Sequence, residues 1–177
     1  MLRLPVHEWA SADWSGGSSA VEEAAAHRSC YGDGHGFFEY QFPIGEEELR
    51  SASKIRVLCE ASAHRNGTPQ TDAFAHPTSF RMLLNGVRIY TGILPNHPHD
   101  SSGALSYIGD GRGGYGYLAH ATVERELLRQ VIANAGSEAL YLHCVVPADQ
   151  PPIGGLTLYG GESGRSPLPP TLIIERA

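Results

Sequence analysis

The sequence predicts an all-β fold, a sandwich or barrel carrying one short helix. Three observations predict it. Apolar and polar residues alternate along many short runs. Turn residues separate those runs, with 21 Gly and 12 Pro among 177 residues. Only one stretch keeps helical spacing.

The elements follow in chain order. Residues 11–35 are rich in Ser, Gly and Ala and read as a long surface loop, with a short helix at 20–26 as its one candidate element. Residues 36–44 carry Phe37, Phe38, Glu39, Tyr40, Gln41 and Phe42, a strand stopped by Pro43 and Gly45. The acids Glu46, Glu47 and Glu48 read as a solvated turn. Residues 54–63 place Ile55, Val57 and Cys59 on one face and Arg56 and Glu60 on the other. Phe80, Met82 and Leu84 share a face before Asn85-Gly86, the strongest short hairpin signal. The return strand, 87–94, ends at Pro95. Residues 115–121 give another strand. Val123, Leu127, Leu128, Val131 and Ile132 have helical spacing, with Thr122 as N-cap and Gly136 just past the end. Residues 139–146 turn Leu140, Leu142, Cys144 and Val146 inward and Tyr141 and His143 outward. Strands at 155–159 and 171–176 close the chain. The total is eight or nine strands in one domain, residues 1–177, a length typical of a single core.

Charge and cysteines narrow the function classes. Thirteen Lys and Arg against nineteen Asp and Glu give a net charge of −6, with no basic run. A nucleic-acid partner is not expected, because phosphate binding needs clustered cations. No apolar stretch approaches the ~20 residues that span a bilayer, so no membrane partner is expected either. The start lacks a charged-then-apolar signal architecture, which predicts a cytoplasmic chain or one that has lost its leader; a secreted parent stays open. Cys30, Cys59 and Cys144 are odd in number and far apart, and read as reduced thiols. Cys59 and Cys144 are expected in the core, and Cys30 in the flexible loop with no His partner.

The candidate chemistry is weighed motif by motif. His97-Pro98-His99-Asp100 is the most metal-like cluster, and a cupin-like metal enzyme is the third reading of the chain. Yet Pro95 and Pro98 break any strand there, and no Glu follows at the needed spacing, so a proline-stiffened loop is the plainer reading. No cofactor is expected, although a structural calcium is an option through Glu8, Asp13, Asp33 or Glu175. Gly161-Glu162-Ser163-Gly164 misses the spacing of a nucleophile elbow. Asn66-Gly67-Thr68 reads as a turn. Loop aromatics say more: Trp9, Trp14, Tyr31, Tyr107, Tyr115, Tyr117 and Tyr159 lie near predicted turns. Sugar C–H faces stack on such rings, while Asp, His and Arg bond the hydroxyls.

Several stretches together resemble a known family. They are Gly36 to Pro43, Glu60-Ala61-Ser62-Ala63, Gln70-Thr71-Asp72, Leu83 to Val87, Leu94 to Ser106, Tyr115-Gly116-Tyr117-Leu118, and Gly155 to Gly160 running on to Gly164 to Leu172. In that order they resemble the C-terminal accessory domain of bacterial family 2 glycoside hydrolases, the β-galactosidase and β-mannosidase-like enzymes. The family pattern carries a basic residue between Asp100 and Gly103, where this chain has Ser101 and Ser102. The resemblance implies a galactose-binding-like jelly-roll β-sandwich. It also implies a non-catalytic module excised from a larger glycoside hydrolase, whose barrel holds the catalytic carboxylates.

The expected ligand is a mono- or oligosaccharide, bound by end loops through Asp72, His97, His99, Asp100, Tyr115, Tyr117 and Arg165. In this reading Asp100 and Arg165 bond vicinal hydroxyls, and Tyr115 or Tyr117 stacks on a ring. The alternative is a structural domain that docks on the parent catalytic domain and binds no glycan.

Overall fold

The computed structural model describes residues 1–5, 8–16, 19–20, 30–64, 77–95, 116–135, 139–160 and 168–176. Within them the chain forms β1 (Leu2–Pro5), β2 (Glu8–Trp14), β3 (Ser19–Ala20), β4 (Cys30–Gly32) and β5 (Gly36–Pro43). Then come α1 (Glu46–Arg50), β6 (Ala52–Ala63), β7 (Thr78–Leu84), β8 (Val87–Leu94) and β9 (Tyr117–Glu124). Helix α2 (Arg125–Ala133), β10 (Ala139–Val146), β11 (Leu156–Leu158) and β12 (Thr171–Arg176) complete it.

Two antiparallel sheets face each other, an all-β jelly-roll sandwich. One sheet runs β2-β5-β10-β7-β8. The other is built on β6, the longest strand. Along one edge β6 pairs with β9. The other edge is shared: β12 pairs with the first half of β6, and β11 with its last residues. Beyond them lie β1 on the β12 side and β4 and β3 on the β11 side.

The alternation expected from sequence fills the space between the sheets. Phe38, Tyr40 and Phe42 of β5, Phe80, Met82 and Leu84 of β7, and Leu140, Leu142, Cys144 and Val146 of β10 are buried. They meet Ile55, Val57 and Cys59 of β6 and Leu172 and Ile174 of β12 in one apolar cluster. A side chain of this size contributes about 1.5–3 kcal/mol when fully buried. Cys59 and Cys144 belong to this core, as expected.

The Asn85-Gly86 hairpin forms as expected. Both residues have positive φ, 48° and 76°, which a two-residue turn between twisted strands requires. Asn85 does more than turn the chain. Its Nδ2 donates to Val131 O at 3.2 Å and its Oδ1 accepts from Tyr141 N at 2.8 Å, tying the hairpin to α2 and β10.

Four expectations need correction. The stretch from 11 to 35 is not one loop: β2, β3 and β4 lie in it, and its residues 21–29, with most of the proposed 20–26 helix, fall outside the described residues. Backbone pairing with β5 and β11 makes strands of sequence that lacks an alternating apolar signal. Cys30 is not in a flexible loop: it is buried in β4, and its sulfur lies 3.2 Å from the Tyr40 hydroxyl. The acids at 46–48 are not a plain turn. They open α1, where the helix dipole favours carboxylates, and Glu48 Oε2 accepts from Gly45 N at 3.3 Å. There are thus two short helices, and the second starts later than expected. Val123 is a buried inward residue of β9, and Glu124 is the N-cap in place of Thr122.

Candidate functional site

The two halves of β6 differ on the face turned away from the core. Its first half presents Lys54 and Arg56, paired across strands with Glu124 of β9 and Glu175 of β12. Its second half presents Glu60, Ser62 and, just past the strand, His64. All three are buried, although they point away from the apolar core. Cross-strand pairing sets Thr157 of β11 beside both Ser62 and Tyr31. Tyr159 follows β11, and its N–H donates to Glu60 O at 3.2 Å.

These side chains are knitted together. The Ser62 and Tyr159 hydroxyls lie 3.0 Å apart. The Tyr31 and His64 rings stack with centroids at 4.5 Å and planes at 34°. Gly116 packs directly on the Glu60 carboxylate, where any Cβ would collide with it. None of Tyr31, Glu60, His64, Thr157 and Tyr159 is without further partners. A carboxylate buried this deeply is tolerated only in such a bonded setting.

Described residues that flank the segments carrying the sequence-predicted residues belong to this cluster or lie beside it, among them His64, Gly116 and Tyr159. Asp72 lies between His64 and Pro77. His97, His99, Asp100 and Tyr115 lie between Pro95 and Gly116. Arg165 lies between Gly160 and Leu168. All six fall outside the described residues, as does the His97-Pro98-His99-Asp100 motif. Their flanks are fixed and adjacent. Tyr117 pairs with Ala61. Thr78 pairs with Leu94. Gly154 N donates to Thr78 Oγ1 at 3.0 Å, and His64 N donates to Gly155 O at 3.3 Å.

Tyr117 is the one residue of the seven that is described. It is buried with the core side chains at the start of β9. Of the other loop aromatics, Trp14 packs on Phe38 at 4.9 Å and lies close over Gly32 and Gly36, a structural role. Tyr31 and Tyr159 join the cluster. Sequence reading did not gather Glu60, Ser62 and His64. The signal for them was the alternation of Glu60, Ser62 and His64 with the small Ala61 and Ala63, a polar face where a solvated strand would show long charged side chains.

The chemistry available here is hydrogen bonding and stacking. The cluster offers a carboxylate, hydroxyls, an imidazole and tyrosine rings. The nearby Cys30 is no nucleophile, because burial pushes its thiol up to about 12. Among the described residues no three His, Cys, Asp or Glu side chains gather as a metal site. Of the four calcium candidates, Glu175 is engaged by Lys54 and Arg56, and Glu8, Asp13 and Asp33 sit on or beside other strands. No helix among the described residues is long and apolar enough to cross a membrane.

No protein-family model matches the chain, and no curated protein sequence matches it. A solved structure is similar to it, that of "Structural and thermodynamic dissection of specific mannan recognition by a carbohydrate-binding module, TmCBM27". The identity is 8%, over 97% of this chain and 88% of that one, with a TM-score of 0.42.

Proposed function

We propose that this chain is a non-catalytic carbohydrate-binding accessory module of a larger, family 2-like glycoside hydrolase. Its ligand, a mono- or oligosaccharide, binds at the end of the sandwich where β6 finishes. The observation that carries this reading is the buried polar cluster of Glu60, Ser62, His64, Tyr31 and Tyr159. It stands where the segments holding Asp72, His97, His99, Asp100, Tyr115 and Arg165 leave the strands. Sugar recognition needs such groups, fixed in advance, because each ordered side chain otherwise subtracts from affinity. With Tyr117 in the core, Tyr115 takes the stacking role, and Asp100 and Arg165 bond hydroxyls.

The test is affinity electrophoresis through gels containing soluble glucan, mannan or galactan. The chain is expected to be retarded by at least one polysaccharide. Asp100→Ala is expected to run free in that gel with an unchanged circular dichroism spectrum. Retardation of Asp100→Ala equal to that of the parent chain would remove Asp100 from the site. Free migration of the parent chain in every gel would count against glycan binding and favour docking on a catalytic domain.

A further inference from the structure

The outer face of the five-stranded sheet, the sheet opposite β6, holds a second ordered cluster. Cross-strand register aligns Ser11, Glu39, His143 and Leu83 in one row, and Asp13, Phe37, Val145 and Arg81 in the next. Glu39 is the hub. Its Oε1 accepts from Ser11 Oγ at 3.2 Å, and its Oε2 lies 2.5 Å from His143 Nε2. His143 Nδ1 is shut off from solvent with no hydrogen-bond partner. Nε2 faces a carboxylate oxygen, which can only accept, so its N–H donates to Glu39. The Phe37 ring packs on the imidazole, with centroids 5.7 Å apart. At one border Arg81 is held by Gln150 at 2.6 and 3.1 Å and by Asp149 at 3.3 Å.

The side chains of Glu39 and His143 are 20% and 28% exposed and are held against one another. Tyr141 extends the same face on β10, four residues from Val145, the cross-strand neighbour of Phe37. Four residues of strand offset Tyr141 from the Val145–Phe37 pair by roughly 13 Å along the face, with His143 and its partner Glu39 in the rows between. Ring, carboxylate, ring in a line suits a chain of sugar units better than a single one.

We propose that this face is a second carbohydrate site, which takes an oligosaccharide lengthwise. Phe37 and Tyr141 receive apolar ring faces, and Glu39, aligned by Ser11 and His143, accepts hydrogen bonds from hydroxyls. His143 is a positioning residue. The inference takes its ligand class from the proposed function and rests on that reading, but its location is independent of the first site.

The test is an amide NMR titration of the whole chain with mannohexaose, cellohexaose, galactose and mannose. A hexaose is expected to shift Phe37, Glu39, Tyr141 and His143, and the monosaccharides to leave them in place. Glu39→Gln, which keeps size and shape, is expected to weaken that binding tenfold or more. Phe37→Ala gives a second reading, its fold checked by near-ultraviolet dichroism. Shifts confined to residues around His64, Gly116 and Tyr159 would overturn the second site and leave the proposed function standing. Sheet-face shifts that survive Glu39→Gln with unchanged affinity would overturn the role of Glu39. No shift with any of the four sugars would overturn both readings.

Discussion

The two halves of β6 share one strand and one apolar core, yet their outer faces are opposites. Lys54 and Arg56 lie in a cross-strand lattice with Glu124 and Glu175, partly open to water. Glu60, Ser62 and His64 are closed off, Ser62 beside the Tyr159 hydroxyl just past β11 and His64 stacked on Tyr31 of β4. The first arrangement is what a sheet facing solvent adopts, and each exposed pair is worth about 0–1 kcal/mol. The second removes a carboxylate from water, which stability alone does not favour. The difference is why the end of β6, and not its start, carries the proposed function.

The largest expected effect breaks the closed half. Gly155 has φ of 76°, and a Cβ there would stand 2.5 Å from Gly32 O and 2.6 Å from His64 O. Gly155→Ala therefore combines backbone strain with overpacking and is expected to cost about 3 kcal/mol. Urea denaturation measures it, and a loss below about 0.5 kcal/mol would mean that this corner is loosely held.

Alkali should act next. Burial raises Cys30 from 9.0 to about 12, and burial also raises Tyr40 beside it. A raised pKa means that the folded protein holds the proton more tightly than the unfolded chain. This stabilisation is whole below pH 9 and is lost as pH climbs towards 12. Stability is expected to fall by up to about 1.4 kcal/mol per pH unit for each such group. Because Cys30 pairs with Leu158, which pairs with Ala61, hydrogen exchange should quicken first at the closed half. A urea midpoint flat from pH 9 to 11 would contradict this account.

A gentler change sharpens the comparison. Glu60→Gln keeps the volume under Gly116 but removes the charge. Glycan affinity is expected to drop about tenfold, or ~1.4 kcal/mol, with the fold kept. Calorimetric titration of the variant decides it, and unchanged affinity would make Glu60 purely structural. The smallest effect belongs to the open half. Arg56→Ala is expected to stay within about 0.5 kcal/mol of the parent and to converge on it as salt rises. A loss of 2 kcal/mol would show that the ion lattice is not an ordinary solvated face.

The sequence made the sandwich legible where a long run keeps one face apolar; β1, whose Leu2 and Leu4 alternate over only four residues, went unread. The bounds of β8, β10 and β12 matched their periodicity, and the Asn85-Gly86 turn fell where its chemistry demands. It hid β2, β3 and β4 because their composition resembles a loop and shows no alternating apolar face. It misplaced the start of α2 because Val123 fits both the strand and the helix pattern; packing in the core decides for the strand. The cluster on Glu60, Ser62 and His64 was half legible. Alternation placed Glu60 opposite the core, but nothing local shows that this face is covered. Tyr31 and Tyr159 read as loop aromatics, and only the pairing of β4, β11 and β6 brings them to Ser62 and His64.

The most direct measurement is a glycan-array screen of the folded chain, run with calcium and again with chelator. The account predicts discrete hits. Loss of those hits with chelator would bring a calcium ion into the binding-competent structure. A blank array from protein shown to be folded would contradict the carbohydrate reading and leave docking on a catalytic domain as the role of the closed half of β6.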